Sequence, residues 1–174
     1  MGTLAATLNL LNKLEESEAL KIHILEKRKV DLGEDHPDTL LAQANLAATY
    51  CRQKKWQEAE ATIREVTDKR LKVLGEYHRE TSRGRVVLTG CYIGQGRFED
   101  AIIEGRKALE GRERILGHSH PDTLWAIKKL AEALEGQGSV EEAAGLRQRA
   151  LELQCVKQVA EVKNTVGEKP ANTP

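Results

Sequence analysis

The chain has 174 residues and a formal net charge of zero, because 27 lysines and arginines balance 27 aspartates and glutamates. A nucleic-acid-binding protein usually carries a basic excess, and the aromatic residues that stack on single-stranded bases make up only 3% of this chain. No stretch approaches the roughly 18 consecutive apolar residues of a membrane-spanning helix. The composition therefore argues against nucleic-acid and membrane partners.

The cysteines give an expectation about the cellular compartment. Cys51, Cys91 and Cys155 are odd in number and show no CxxC spacing. The first residues also lack the basic-then-apolar layout of a signal peptide. Reduced thiols in an intracellular protein are the simplest interpretation. We therefore expect a cytoplasmic location, with no bound metal and no other cofactor.

A nine-residue segment occurs three times at intervals of 42 residues. It reads LGEDHPDTL at 32–40, LGEYHRETS at 74–82 and LGHSHPDTL at 116–124. A fixed period of roughly 20 to 50 residues is typical of stacked repeat proteins. In rows of 42 residues, four rows align, and two of their columns are Leu4, Leu46, Leu88, Leu130 and Ser17, Ala59, Ala101, Ala143.

Each row predicts two helices, so the predicted fold class is all-α. In the second row, Ala42, Leu46 and Tyr50 recur at the four-residue spacing of one helical face, with Asp38 or Thr39 as the expected N-cap. The pattern predicts about four antiparallel helical hairpins, at residues 3–32, 38–74, 80–116 and 122–163. They form a single array over residues 1–166. Residues 167–174 have two prolines and no apolar face, which predicts a disordered tail.

The third row differs from the others in its interior glycines. Gly84 and Gly90 lie within its first predicted helix, and Gly105 and Gly111 lie within its second. Each glycine inside a helix costs roughly 0.5–1 kcal/mol relative to alanine. The sequence therefore predicts that this hairpin is the least stable of the four.

These columns resemble the tetratricopeptide repeat in its 42-residue form, which is typical of kinesin light chains and of C-terminal arrays in fungal and bacterial NOD-like receptor proteins. The linker LGxxHPDT, the Leu-Ala-x-x-Tyr block at 46–50 and the Trp-x-x-Ala block at 56–59 carry the resemblance. It covers roughly residues 3–158. It implies a right-handed superhelix, or α-solenoid, whose first helices line a concave groove that binds peptides or partner domains.

One departure concerns a paired asparagine that kinesin light chains carry just before the Leu-Ala block, where it clamps the backbone of cargo peptides. The corresponding pairs here are Ala44-Asn45, Val86-Val87 and Lys128-Lys129. Only Asn45 matches, so the resemblance implies the fold and a binding role without that clamp.

The groove is expected on the stripe of each first helix that lies opposite Leu46 and Tyr50. Arg52, Arg83 and Lys128 are suited to pair with an acidic peptide, and Trp125 is suited to anchor it. In the alternative interpretation, Trp125 packs between repeats and the charges are merely solvated. The predicted partner-binding residues are Leu41, Ala44, Asn45, Ala48, Arg52, Arg83, Val86, Gly90, Trp125, Lys128 and Glu132.

The linker histidines allow two interpretations. His36, His78 and His120 recur every 42 residues, so stacking would bring them near one another as a metal-binding ladder. The resemblance favours the second interpretation, in which each histidine satisfies its own inter-repeat turn. Acidic pairs such as Glu141-Glu142 fall in the first turn of a helix, where the helix dipole favours negative charge.

No nucleophile–base pair, phosphate-binding loop or metal-ligand motif is apparent in the sequence. We therefore predict a non-catalytic scaffold that binds a peptide or partner protein and belongs to a larger signalling or adaptor protein. The alternative is a structural module that forms homo-oligomers by stacking exposed repeat ends. Leu4, Leu8 and Leu11, which no preceding repeat covers, motivate that alternative.

Overall fold

The computed structural model describes residues 13–167, with side chains described for residues 13–155. Within that range the chain forms seven α-helices and no strand. The helices are α1 (Leu14–Leu32), α2 (Pro37–Arg52), α3 (Trp56–Leu74), α4 (Arg79–Gly94), α5 (Phe98–Leu116), α6 (Pro121–Gln137) and α7 (Val140–Gly167). No helix of this described part is both long enough and apolar enough to cross a membrane.

Each helix packs against the next one along the chain, and α4 also contacts both α2 and α6. The pairs α2–α3, α4–α5 and α6–α7 are therefore hairpins whose first helices stack side by side. Helix α1 is the second helix of the first row. This all-α repeat fold, an α-solenoid, is the class that the 42-residue period predicts.

Some predictions concern residues that the structure does not describe, namely 1–12 and 168–174. They include the first helix of the hairpin at 3–32 and the leucines Leu4, Leu8 and Leu11. Of the tail predicted at 167–174, only Gly167 is described, and it is the last residue of α7.

The core follows the sequence columns. Leu46, Leu88 and Leu130 are each at most 5% exposed, and the small residues of the neighbouring columns have no exposed surface at all. Small side chains let adjacent helices approach closely while the leucines fill the space between them. The fully enclosed columns include Ala47, Thr89, Ala131, then Ser17, Ala59, Ala101, Ala143, and Thr39, Thr81, Thr123.

The linker histidines cap the first helices. The Nδ1 atom of His36 accepts a hydrogen bond from the backbone N–H of Asp38 at 3.2 Å, and His78 and His120 repeat this geometry at 3.2 and 3.1 Å. The N-cap of α2 is therefore His36, and the prediction of Asp38 or Thr39 is wrong. Each histidine therefore accepts a hydrogen bond within its own inter-repeat turn, which is the second of the two interpretations given above.

A column of arginines, which the sequence reading missed, fastens each second helix to the following first helix. Arg28, Arg70 and Arg112 each donate from Nη1 to the backbone carbonyl ten residues further on. The distance is 2.7 Å for Arg28 and 3.3 Å for Arg70. Arg70 and Arg112 are only 3% and 6% exposed, so their bonds are partly buried, whereas the bond from Arg28 is exposed.

The interior glycines of the third row lie mainly at helix contacts. A Cβ atom at Gly111 would lie 2.6 Å from Ser82 Oγ, and one at Gly105 would lie 3.2 Å from Leu130 Cδ1. Gly90 differs, because nothing lies within 4 Å of its Cβ position. Most of these glycines therefore allow neighbouring helices to pack closely. The stability from that packing is not included in an estimate based on helix propensity alone.

Candidate partner-binding groove

The candidate site is the face of α2, α4 and α6 that points away from the second helices. On α6, Leu134 packs in the core and is 1% exposed, whereas Trp125 is 48% exposed. Nine positions separate the two residues, which places them on opposite sides of the helix at 3.6 residues per turn. Trp125 therefore lies on the outer stripe of α6, opposite the side that packs in the core.

Two lysines flank Trp125. The Nζ atoms of Lys128 and Lys129 lie 5.4 and 5.5 Å from the centroid of its ring, within cation–π range. Lys129 also pairs with Glu132 at 2.7 Å. The half-exposed ring and its lysines form one surface cluster.

Arg83 and Asn45 connect the first helices of neighbouring repeats. The Nη2 atom of Arg83 in α4 lies 3.5 Å from Asn45 Oδ1 in α2. Arg83 and Leu41 also line a cavity of about 660 Å³ between the start of α2, the end of α3 and the start of α4. Its wall combines apolar Leu74 with the ion pair of Lys69 and Asp35, whose atoms lie 2.9 Å apart, so the cavity offers apolar and charged contacts of both signs.

Two of the predicted groove residues lie elsewhere. Ala44 and Val86 are 6% and 7% exposed and belong to the main hydrophobic core. They therefore form the packing layer beneath the groove, where a partner has little access to them. Ala48 and Gly90 are partly exposed, and the open space above Gly90 leaves room on the groove floor.

Arg52 is exposed at the end of α2, and the sequence reading missed a second basic residue near it. Lys21 of α1 donates from Nζ to the backbone carbonyl of Asn45 at 3.1 Å. Burial, followed by the nearby charge of Arg52, lowers the pKa of Lys21. A signal was available, because Lys21 occupies the column of buried Ile63, where a charged residue is unexpected.

Two cysteines meet between α2 and α4, which the sequence reading also missed. The Sγ atoms of Cys51 and Cys91 lie 3.1 Å apart. The hydrogen bond from Cys91 lowers the pKa of the Cys51 thiol, while that bond and burial raise the pKa of the Cys91 thiol. Within residues 13–155, no group of three or more His, Cys, Asp or Glu side chains is placed to hold a metal ion.

The sequence profile of the tetratricopeptide repeat family matches residues 1–72, 38–113 and 88–155, which together span most of the chain. The chain belongs to the tetratricopeptide repeat family. Arrays of these repeats are generally non-catalytic scaffolds for protein–protein interactions. A search of the curated proteins found no match.

Solved structures share the tetratricopeptide repeat fold of this chain. Two crystal structures of a candidate kinesin light chain from Podosopora anserina, with nearly identical TPR-like repeats, are each 23% identical to this chain and cover 89% of it. Their TM-scores are 0.74 and 0.70, and this chain covers 73% and 74% of theirs. BtubC (BKLC) from P. vanneervenii is 17% identical, with a TM-score of 0.79, and the match covers 98% of this chain and 65% of that one. At these identities the likeness shows the fold alone.

Proposed function

We propose that this tetratricopeptide array is a non-catalytic scaffold whose groove on α2, α4 and α6 binds an acidic peptide segment of a partner protein. The observation that carries the proposal is the half-exposed Trp125 with Lys128 and Lys129 beside its ring. Tryptophan supplies a large apolar contact area at binding hot spots. The neighbouring ammonium groups supply charge-assisted hydrogen bonds to carboxylates.

The charge of the groove supports an acidic ligand. The whole chain is neutral, so a local excess of one sign carries information about the partner. Glu135 pairs with Arg147 of α7 at 2.6 Å, which leaves Glu132 as the main acidic side chain inside the groove. The basic side chains on this face are Arg52, Arg83, Lys128 and Lys129, of which Lys129 pairs with Glu132.

The floor of the groove supports an extended ligand. Ala48 and Gly90 are small, and no atom outside the local backbone of α4 lies within 4 Å of the Cβ position of Gly90. A peptide backbone can therefore approach α2 and α4 closely while its side chains reach Trp125 and the basic residues. We place the array in a larger cytoplasmic signalling or adaptor protein, the setting in which the 42-residue form of the repeat is typical.

A panel of labelled peptides tests the proposal, with binding measured in solution by fluorescence anisotropy. The peptides are about ten residues long and vary in charge and in aromatic content. We expect acidic peptides that contain an aromatic or aliphatic residue to bind. The double variant Arg83→Glu, Lys128→Glu should weaken that binding by about tenfold or more, since each lost ion pair is worth about 1 kcal/mol. Its helicity by circular dichroism should not change, because both side chains are exposed.

The matched control reverses two exposed charges on a second helix. Arg106 and Arg114 of α5 have side chains that are 57% and 59% exposed, so Arg106→Glu, Arg114→Glu changes the net charge by the same amount. An equal loss of binding in this control would show a general charge effect. A preference for basic peptides would contradict the proposal outright. Light scattering on the same samples separates peptide binding from self-association.

A further inference from the structure

Cys51 and Cys91 form a pair of thiols that joins two neighbouring repeats. Their sulfur atoms lie 3.1 Å apart, while the sulfurs of a disulfide lie about 2.05 Å apart. Forming the bond therefore requires the two sulfurs to approach each other by about 1 Å. The two residues are 40 positions apart in sequence, so a bond between them would link α2 directly to α4.

We propose that Cys51 and Cys91 form a reversible intramolecular disulfide that ties α2 to α4, and that small disulfide oxidants such as oxidised glutathione are the substrates of this thiol pair. The inference goes beyond the proposed peptide binding and does not depend on it.

The exchange begins at Cys51, which is partly exposed, whereas Cys91 has no exposed surface. The Cys51 thiolate attacks one sulfur of oxidised glutathione, the S–S bond of the oxidant breaks, and one glutathione leaves as a thiolate that takes up a proton. Cys51 then carries a mixed disulfide. Cys91 releases its proton to solvent and attacks Cys51 Sγ, and the second glutathione leaves. Two protein thiols are oxidised, and one oxidised glutathione is reduced to two glutathione molecules.

The surroundings of the pair suit this order. The hydrogen bond from Cys91, and to a smaller extent the positive charge of Lys129, favour the thiolate of Cys51 and lower its pKa. A thiolate is the nucleophile in disulfide exchange, so Cys51 is the attacking residue and buried Cys91 is the resolving one.

The bond would act on the groove, because α2 and α4 both line it. Gly90, next to Cys91, lies inside a helix and has open space around its Cβ position. Glycine gives the backbone extra conformational freedom there, which allows α4 to adjust as the sulfurs approach. The disulfide would then hold α2 and α4 at a fixed spacing beside the floor of the groove.

The test uses the full chain with Cys155→Ser, which removes the exposed third thiol. After incubation with oxidised glutathione, alkylation in denaturant and mass spectrometry, we expect both remaining thiols to be lost, with the mass lower by two hydrogen atoms. Peptide mapping should find Cys51 linked to Cys91, and dithiothreitol should restore both thiols. Amide hydrogen exchange in α2 and α4 should slow several-fold on oxidation, since the link suppresses their local separation.

Two single variants serve as controls in the same background. Cys91→Ser should stop at the mixed disulfide with glutathione on Cys51, and Cys51→Ser should remain largely unmodified because Cys91 is enclosed. Cys91→Ala, which keeps the enclosed position apolar, replaces Cys91→Ser if circular dichroism shows that the serine variant does not fold. The proposal is overturned if Cys91 stays free while Cys51 keeps glutathione. Cross-linking only between chains, or unchanged exchange in α2 and α4, would overturn it as well.

Discussion

Gly84 of α4 lies directly against Thr67 of α3, so close that a Cβ atom on residue 84 would overlap the hydroxyl oxygen of Thr67. That hydroxyl cannot easily move away, because it donates a hydrogen bond to the backbone carbonyl of Ile63 at 2.7 Å and Thr67 is 4% exposed. The glycine therefore sets how closely the second and third rows of the array approach each other.

Gly84→Ala should destabilise the protein by about 1–3 kcal/mol, the usual cost of overfilling a packed contact, although alanine is the better helix former. Gly90→Ala is the matched control, since Gly90 occupies the same helix but has open space around it. That variant should stabilise the fold by about 0.5–1 kcal/mol through helix propensity alone. Urea unfolding followed by circular dichroism measures both, and a gain of equal size in the two variants would refute the packing role.

Arg70→Ala should cost about 1–3 kcal/mol, because it leaves the backbone carbonyl of Glu80 without its donor and the carboxylate of Glu80 without its buried ion-pair partner. Arg70 Nη2 lies 3.0 Å from Glu80 Oε2, and its side chain is 4% exposed. Arg106→Ala removes an ion pair with Glu142 at 2.6 Å whose two side chains are roughly half exposed. Its effect should stay within about 0.5 kcal/mol. Thermal unfolding measures both variants. An equal decrease in the free energy of unfolding would show that burial of Arg70 adds nothing to the stability of the fold.

The two tryptophans of the chain should behave differently when they are replaced by alanine. A Cβ atom at Gly94 would lie 2.6 Å from Cζ2 of the partly buried Trp56, so this ring packs against α4, and Trp56→Ala should cost about 1–3 kcal/mol. Trp125→Ala should change stability by less than about 0.5 kcal/mol, because the ring is half exposed. It should nevertheless weaken binding of the acidic peptides by about tenfold or more. Calorimetric unfolding and anisotropy distinguish the two roles, and unchanged peptide affinity in Trp125→Ala would remove the anchor from the proposed function.

Glu18 should contribute stability that depends on pH. It accepts hydrogen bonds from Lys55 Nζ and Gln53 Nε2, both at 2.8 Å, and the bond from Lys55 is the main cause that lowers the pKa of Glu18 below its ordinary value of 4.5. A carboxyl group whose pKa is lower in the folded state stabilises the fold above the unfolded-state pKa. That contribution is lost as the pH falls below 4.5 through the folded-state pKa.

The measurement compares wild type with Glu18→Gln by urea unfolding at about pH 6 and about pH 3. Wild type should be the more stable protein at the higher pH, and the difference should shrink at the lower one. In a Lys55→Met background the same substitution should have a smaller effect, because the donor that lowers the pKa is absent. A difference that is constant with pH would contradict the assignment.

The 42-residue period predicted the positions of the helices and many of the core residues. The three linker copies placed the helices in register, and columns of one residue type, such as Leu46, Leu88 and Leu130, became the core. These features depend on the position of a residue within its own repeat. Aligning one sequence in rows of 42 residues gives that position directly.

Only the tertiary structure decided which residues meet between repeats. Cys51 meets Cys91, and Arg83 meets Asn45, although neither pair shares a column, because neighbouring first helices contact each other at offset positions. The same contacts place Val86 in the core beneath the groove and turn Gly84 from a cost in helix propensity into a packing requirement. The sequence by itself determined an all-α array of 42-residue repeats. The spacing and offset of its helices, which depend on side-chain packing across the interface, decided which of the predicted groove residues are exposed and which are buried.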